Sequence, residues 1–96
     1  MRRYEALVIV DGALEEGDVE KAVQKFTDAI GTVGGKSAEV DRWGKRRFAY
    51  EISHKHDGYY FVANFEAPEE GVARLENLIK ISDEFVRGKI VRPEAH

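Results

Sequence analysis

Residues 4–10 read Tyr-Glu-Ala-Leu-Val-Ile-Val and close on Asp11-Gly12. An apolar, β-branched run ended by a turn dipeptide predicts a strand. From Glu15 to Val33 the period changes: Val19, Ala22, Val23, Phe26, Ala29, Ile30 and Val33 recur at steps of three and four. That spacing predicts an amphipathic helix with one apolar stripe. Glu15, Glu16, Asp18 and Glu20 place negative charge at its positive end, and Gly34-Gly35 supplies a left-handed stop. Lys36 to Ser53 is long for one strand, and Gly44 near its middle marks a bulge or bend. From Arg46 onward the alternation sharpens. Phe48, Tyr50 and Ile52 fall on one face, and Arg47, Ala49 and Glu51 on the other. His54-Lys55-His56-Asp57-Gly58 is turn chemistry and predicts a hairpin into a strand from Tyr59 to Glu66. Pro68 then opens a second helix, with Val72, Leu75, Leu78 and Ile79 at helical spacing. Ser82-Asp83 ends that helix, and Glu84 to Arg92 forms a last strand before Pro93.

The predicted order is β-α-β-β-α-β. Two such split units give an α+β, ferredoxin-like fold, with two helices packed on one face of a four-stranded antiparallel sheet. At 96 residues the expectation is a single domain, 1–96. The expected strand order is four, one, three, two, with the Gly44 strand and the last strand as edges. Ala6, Val8, Val10, Phe48, Tyr50, Ile52, Phe61, Ala63, Phe65 and Ile90 are then expected to face the helices. The open face is expected to present Glu5, Leu7, Ile9, Arg47, Tyr60, Val62, Asn64, Lys89 and Val91. Within it Leu7, Ile9, Val62 and Val91 make an apolar patch around Tyr60, with Arg47 and Lys89 close by. Soluble domains of this size rarely leave such a patch bare, so it reads as a contact surface. The plainer alternatives are long side chains lying across it or two copies meeting there.

Composition adds bounds. With 43% hydrophobic residues the chain buries one modest core. It has no cysteine, which removes disulfides and thiolate metal sites. The longest apolar run, Ala6 to Val10, is too short to span a bilayer, and no signal peptide is evident. The net charge of −3 speaks at first against nucleic acid. Its distribution changes that. The strand segments, taken with Arg2 and Arg3, hold ten of the fifteen Lys and Arg but six of the eighteen acids. The expectation is a basic sheet layer opposite an acidic helical layer, able to meet phosphate from one side.

Catalytic readings find little support. Acylphosphatases of the same topology hold phosphate with an Arg in the loop after the first strand, whereas residues 11–18 here contain four acids and no Arg. His54 and His56 lack the further ligands of a closed metal site, and terminal His96 carries no signal. Asp83 and Glu84 are adjacent on an extended chain and point apart, so they cannot share a substrate. No phosphate-loop glycine spacing occurs. A single-stranded RNA platform needs aromatics on the central strands, and the expected open face offers only Tyr60. No catalytic residue, metal or cofactor is assigned.

Cations concentrate at Lys45-Arg46-Arg47, with Arg2 and Arg3 near the N-terminus and Arg87, Lys89 and Arg92 on the last strand. These eight are the candidate phosphate-binding residues. Trp43, just ahead of the triplet, reads more as a core plug near the bend than as a contact.

Gly44-Lys45-Arg46-Arg47-Phe48-Ala49-Tyr50-Glu51-Ile52-Ser53 resembles the signature strand of the bacterial small-subunit ribosomal protein six family. Met1-Arg2-Arg3-Tyr4-Glu5 is similar to that family's N-terminus, Gly58-Tyr59 to the start of its third strand, and Asp83 to Val91 to its last strand. Phe48 departs from the family's usual Leu, a change that touches packing more than function. The resemblance implies a cytoplasmic structural protein of the ribosome, without catalysis. It implies binding to small-subunit ribosomal RNA as a heterodimer with ribosomal protein eighteen, the partner surface being Leu7, Ile9, Tyr60, Val62 and Val91. No membrane and no small-molecule substrate are implied. The alternative is a small-molecule-binding regulatory domain of ferredoxin-like topology, which the acids of residues 11–18 disfavour for anionic ligands.

Overall fold

A computed structural model describes residues 1–52 and 55–93. Its elements obey the two hydrophobic periods of the sequence: β1 (Arg2–Asp11), α1 (Glu16–Thr32), β2 (Lys36–Ile52), β3 (Lys55–Ala67), α2 (Glu69–Ile81) and β4 (Phe85–Val91). The strands form one antiparallel sheet in the order β2-β3-β1-β4. The expected order therefore holds, and β2 and β4 are the edges. Even-numbered β1 residues Tyr4, Ala6, Val8 and Val10 and odd-numbered β3 residues Phe61, Ala63, Phe65 and Ala67 are buried on one face. Against them α1 sets Val19, Ala22, Val23, Phe26 and Ile30, and α2 sets Leu75 and Ile79. Phe26 is the hub. It is fully buried and meets Phe61, Phe65 and Phe85 edge-on at centroid separations of 5.9, 6.4 and 6.4 Å.

Helix ends match the predicted signals. Glu15 precedes α1 in extended backbone, and Glu16 and Asp18 occupy the first turn. At the far end Gly34 takes φ +86° and its N–H donates to the Gly31 carbonyl, while the Gly35 N–H donates to that of Ile30. Pro68 stands just before α2 with φ −63°, a value its ring already imposes. On β4, a side chain at Gly88 would run into Ile79, so its absence lets α2 lie close on the sheet.

Two departures from the sequence reading concern β2 and β3. The first is the hairpin. Residues 55–58 are not turn: β3 begins at Lys55, and Arg46 and Arg47 pair with Gly58 and Asp57. A long ladder satisfies those backbone groups better than an open loop would. The turn itself, with His54 and the end of the expected strand at Ser53, lies outside the described residues, as does His96. Side chains at Phe48, Tyr50 and Ile52 lie outside them too. The second departure is alternation. The β2–β3 register shifts between Ser37 and Glu39, again between Arg42 and Gly44, where φ is +85°, and a third time between Arg47 and Ile52. Each inserted residue reverses the facing of the residues after it. The first two reversals cancel, and the third cuts Arg46 and Arg47 off from the alternation counted back from Phe48, so Arg47 is in register with Asp57, on the helix side of the sheet, and Arg46 with Gly58, on the open side. The expected open-face place of Arg47 belongs to Arg46.

One tie across the layers responds to pH. Lys25 of α1 donates to Glu84, just before β4, at 2.9 Å. That hydrogen bond, only partly opposed by desolvation, holds the Glu84 carboxyl below the usual carboxylate range. A carboxyl lowered in the folded state stabilises fully above its unfolded value of about 4.3. The gain fades as pH falls through the lowered value. The pair is partly exposed, so Lys25→Met is expected to cost about 0.2–1 kcal/mol at pH 7. Urea midpoints of the two proteins should draw together as pH falls below the unfolded value and through the lowered one. A gap that does not shrink on acidification would mean that the Lys25 stem, not its charge, carries the effect.

Candidate docking and phosphate-binding surface

The helices cover one face of the sheet and leave the other to solvent. Cross-strand register places side chains on that open face in rows. One row runs Asp41–Val62–Leu7–Lys89 from β2 to β4, and the next runs Glu39–Asn64–Glu5–Val91. A third contains Gly44, Tyr60, Ile9 and Arg87. Leu7, Ile9, Tyr60, Val62 and Val91 thus fall together, as expected. They are not equally open. Ile9 and Val62 are only 7% and 8% exposed, while Leu7 and Tyr60 are half-buried and Val91 is 40% exposed. Ile9 and Val62 lie outside the main core cluster, so neighbours on the open face cover them. The accessible apolar surface is narrower than the sequence suggests.

Trp43 widens it again. It is 45% exposed and stacks on Tyr60, with centroids 6.4 Å apart and planes 4° from parallel. Its indole N–H donates to an Asp41 carboxylate oxygen at 3.1 Å, and the Arg46 guanidinium lies 5.9 Å from its ring centre. The core-plug reading of Trp43 is therefore corrected: it stands on the open face beside Tyr60. Gly44 was the available signal, because a bulge there turns the preceding residue outward.

The eight candidate cations do not form one cluster. Lys45, Arg46 and Arg47 are exposed at the hairpin end of β2. Arg2 and Arg3 start β1 at the other end, some eight residues away, or about 27 Å along an extended strand. Arg92 comes directly after β4 on that same far side. Arg87 and Lys89 lie on the open face of β4 in register with Ile9 and Leu7. Acidic partners already hold some of these cations. Lys45 pairs with Asp57 at 3.6 Å and lies over the Tyr59 ring, and Arg2 approaches Glu69 at 3.9 Å. Among the described residues, Arg3, Arg46, Arg47, Arg87 and Lys89 make no ion pair.

The acids also fall differently from the expectation. Glu5, Glu39, Asp41 and Glu66 share the open face with Arg3, Arg46, Arg87 and Lys89. The sheet side is a mixed surface with cations at its ends and along β4, not a basic layer. Strand segments counted whole cannot show this, since each strand divides its charges between two faces. On the helix side, Arg42 makes a two-pronged pair with Glu20 of α1, both contacts at 3.0 Å, which ties edge strand β2 to the helix. Among the described residues no three of His, Cys, Asp and Glu gather as metal ligands. No helix among them is long and apolar enough to cross a membrane.

A family model described as Ribosomal protein S6 matches residues 3–92. Small ribosomal subunit protein bS6 of Paenarthrobacter aurescens is 44% identical over 94 residues, covering 98% of this chain and 93% of that protein. The bS6 protein of Streptomyces coelicolor is 38% identical over 96 residues, the full length of both. Among solved structures, 30S ribosomal protein S6 of Thermotoga maritima superposes with a TM-score of 0.90 at 32% identity. The match covers 95% of this chain and 86% of that one.

Proposed function

The chain belongs to the ribosomal protein S6 family, structural proteins of the cytoplasmic small ribosomal subunit and not enzymes, and from that premise we propose that it binds small-subunit ribosomal RNA together with ribosomal protein eighteen. The observation that carries the reading is the pairing of a helix-free sheet face with exposed cations at its rim. The face offers Leu7, Tyr60, Trp43 and Val91 to a protein. The rim offers Lys45, Arg46 and Arg47 at one end, and Arg2, Arg3 and Arg92 at the other, to phosphates. Guanidinium groups grip phosphate in two-pronged fashion, and a protein reading RNA by shape needs no base-edge donors. Arg87 and Lys89 stand beside the apolar row, and the same reading gives them to the protein partner.

The RNA half is tested by salt. Binding of the mixed complex to a small-subunit ribosomal RNA junction is expected to weaken linearly on a log–log salt plot. Arg46→Ala with Arg47→Ala should reduce the slope by about 1–2, since each lost phosphate contact removes about 0.7–0.9. An unchanged slope with unchanged affinity would remove the hairpin end of β2 from the RNA contact.

A further inference from the structure

Crossing the middle of the open face from edge to edge, between Lys36 at one end of β2 and Arg46 at the other, charge changes sign. On the β2 flank Glu39 and Asp41 are exposed, and on the β4 flank Arg87 and Lys89 are exposed. Asp41–Val62–Leu7–Lys89 reads acid, apolar, apolar, base within one cross-strand row. Among the described residues none of Glu39, Asp41, Arg87 or Lys89 makes an ion pair, and Asp41 accepts only the neutral indole N–H of Trp43. Edge to edge the sheet spans three strand spacings, about 14 Å. A helix with its side chains is about 10–12 Å wide. An element of that width laid along Leu7 and Tyr60 therefore reaches both flanks at once with long side chains.

We propose that the protein seated on this face carries cationic side chains over Glu39 and Asp41 and anionic ones over Arg87 and Lys89, so that charge polarity across the sheet fixes its orientation. The proposal rests on the reading that ribosomal protein eighteen docks here and adds which way it lies. RNA is a poorer occupant of the middle of the face, because Glu39 and Asp41 repel phosphate there and Leu7 and Val62 between the flanks give bases no ring to stack on. Opposed uncompensated flanks select one of two antiparallel placements, since the reversed placement sets like charges together on both sides.

The experiment titrates full-length chain with ribosomal protein eighteen, following emission of Trp43, the single tryptophan of the chain, beside Asp41. Wild-type binding is the control for the underlying reading: no complex there defeats that reading rather than the orientation. Given a wild-type complex, Glu39→Lys with Asp41→Lys is expected to weaken it at least tenfold, and so is Arg87→Glu with Lys89→Glu. Reversing basic residues of the partner to Glu should restore binding to the first variant and not to the second. Equal affinity for both variants and wild type overturns the proposal. So does rescue of the second variant by that same partner change. Tighter binding of a ribosomal RNA junction to the Glu39→Lys, Asp41→Lys protein, with protein eighteen unaffected, also overturns it and assigns the flank to RNA.

Discussion

Phe26→Ala is expected to cost about 3–5 kcal/mol of folding stability, the range for deleting a buried aromatic ring. The surroundings of the ring favour the upper half of that range. It touches three other phenylalanines, one on β3 near each end of its buried run and one opening β4. A void there is walled by Phe61, Phe65 and Phe85, which are themselves 2%, 2% and 6% exposed. Those rings are held by the sheet ladder and cannot all move in to fill it, so the cavity remains and its cost adds to the lost transfer energy. Small domains hold only about 5–15 kcal/mol in total. The variant should therefore show a sharply lower urea midpoint with an unchanged slope. Phe26→Leu keeps much of the volume and should lose well under half as much. A loss below about 1 kcal/mol for Phe26→Ala would mean that the helix layer repacks freely and is not pinned at this residue.

That core was legible in the sequence because it depends on two simple periods. Val19, Val23, Phe26 and Ile30 announce a helix stripe, and Tyr4 to Val10 and Phe61 to Phe65 announce strands that alternate without interruption. No bulge interrupts the β1–β3 ladder from Arg2 to Asp11, so parity counted from one residue stays correct along its whole length. Parity failed on β2. Register shifts lie between Ser37 and Glu39, between Arg42 and Gly44 and between Arg47 and Ile52, and each reverses the parity counted across it. Gly44 hinted at the second shift, while nothing in Lys36-Ser37-Ala38-Glu39 marks the first. The third, which no glycine marks, fell on the candidate site, since parity counted back from Phe48 put Arg47 on the open face in place of Arg46, and the second brought Trp43 out beside Tyr60. Charge was misjudged for a related reason. Summing cations over strands hides that Glu39 and Asp41 point to the same side as Arg87 and Lys89. The misread part of the site lies on edge strand β2, where alternation is least protected by burial, whereas Leu7, Ile9, Tyr60 and Val62 on the central strands fell on the face expected of them.

Leu7→Glu and Val91→Glu are each expected to abolish the proposed one-to-one complex with ribosomal protein eighteen on gel filtration, a loss of at least about 2 kcal/mol in affinity. Leu7 sits at the centre of the open face, between Val62 on one side and Lys89 on the other. A carboxylate there must either stay hydrated and hold the partner off or lose its water without a paired charge, and both cost binding. Lys89 is the only cation in that row, and a pair with the new Glu would consume the charge the partner is proposed to use. Val91 lies beside Glu5 on the edge strand and is 40% exposed. A second acid there adds repulsion at the rim as well as removing apolar contact. Folding separates the two effects. Val91→Glu changes a side chain that is 40% exposed and sets a carboxylate opposite Glu5, so it should lower stability by less than about 1 kcal/mol of the total of about 5–15, whereas half-buried Leu7→Glu should lower it more. Unfolding therefore cannot explain a failed complex with Val91→Glu. Normal binding by both variants would move the partner off the sheet altogether and leave the row Asp41–Val62–Leu7–Lys89 without an occupant.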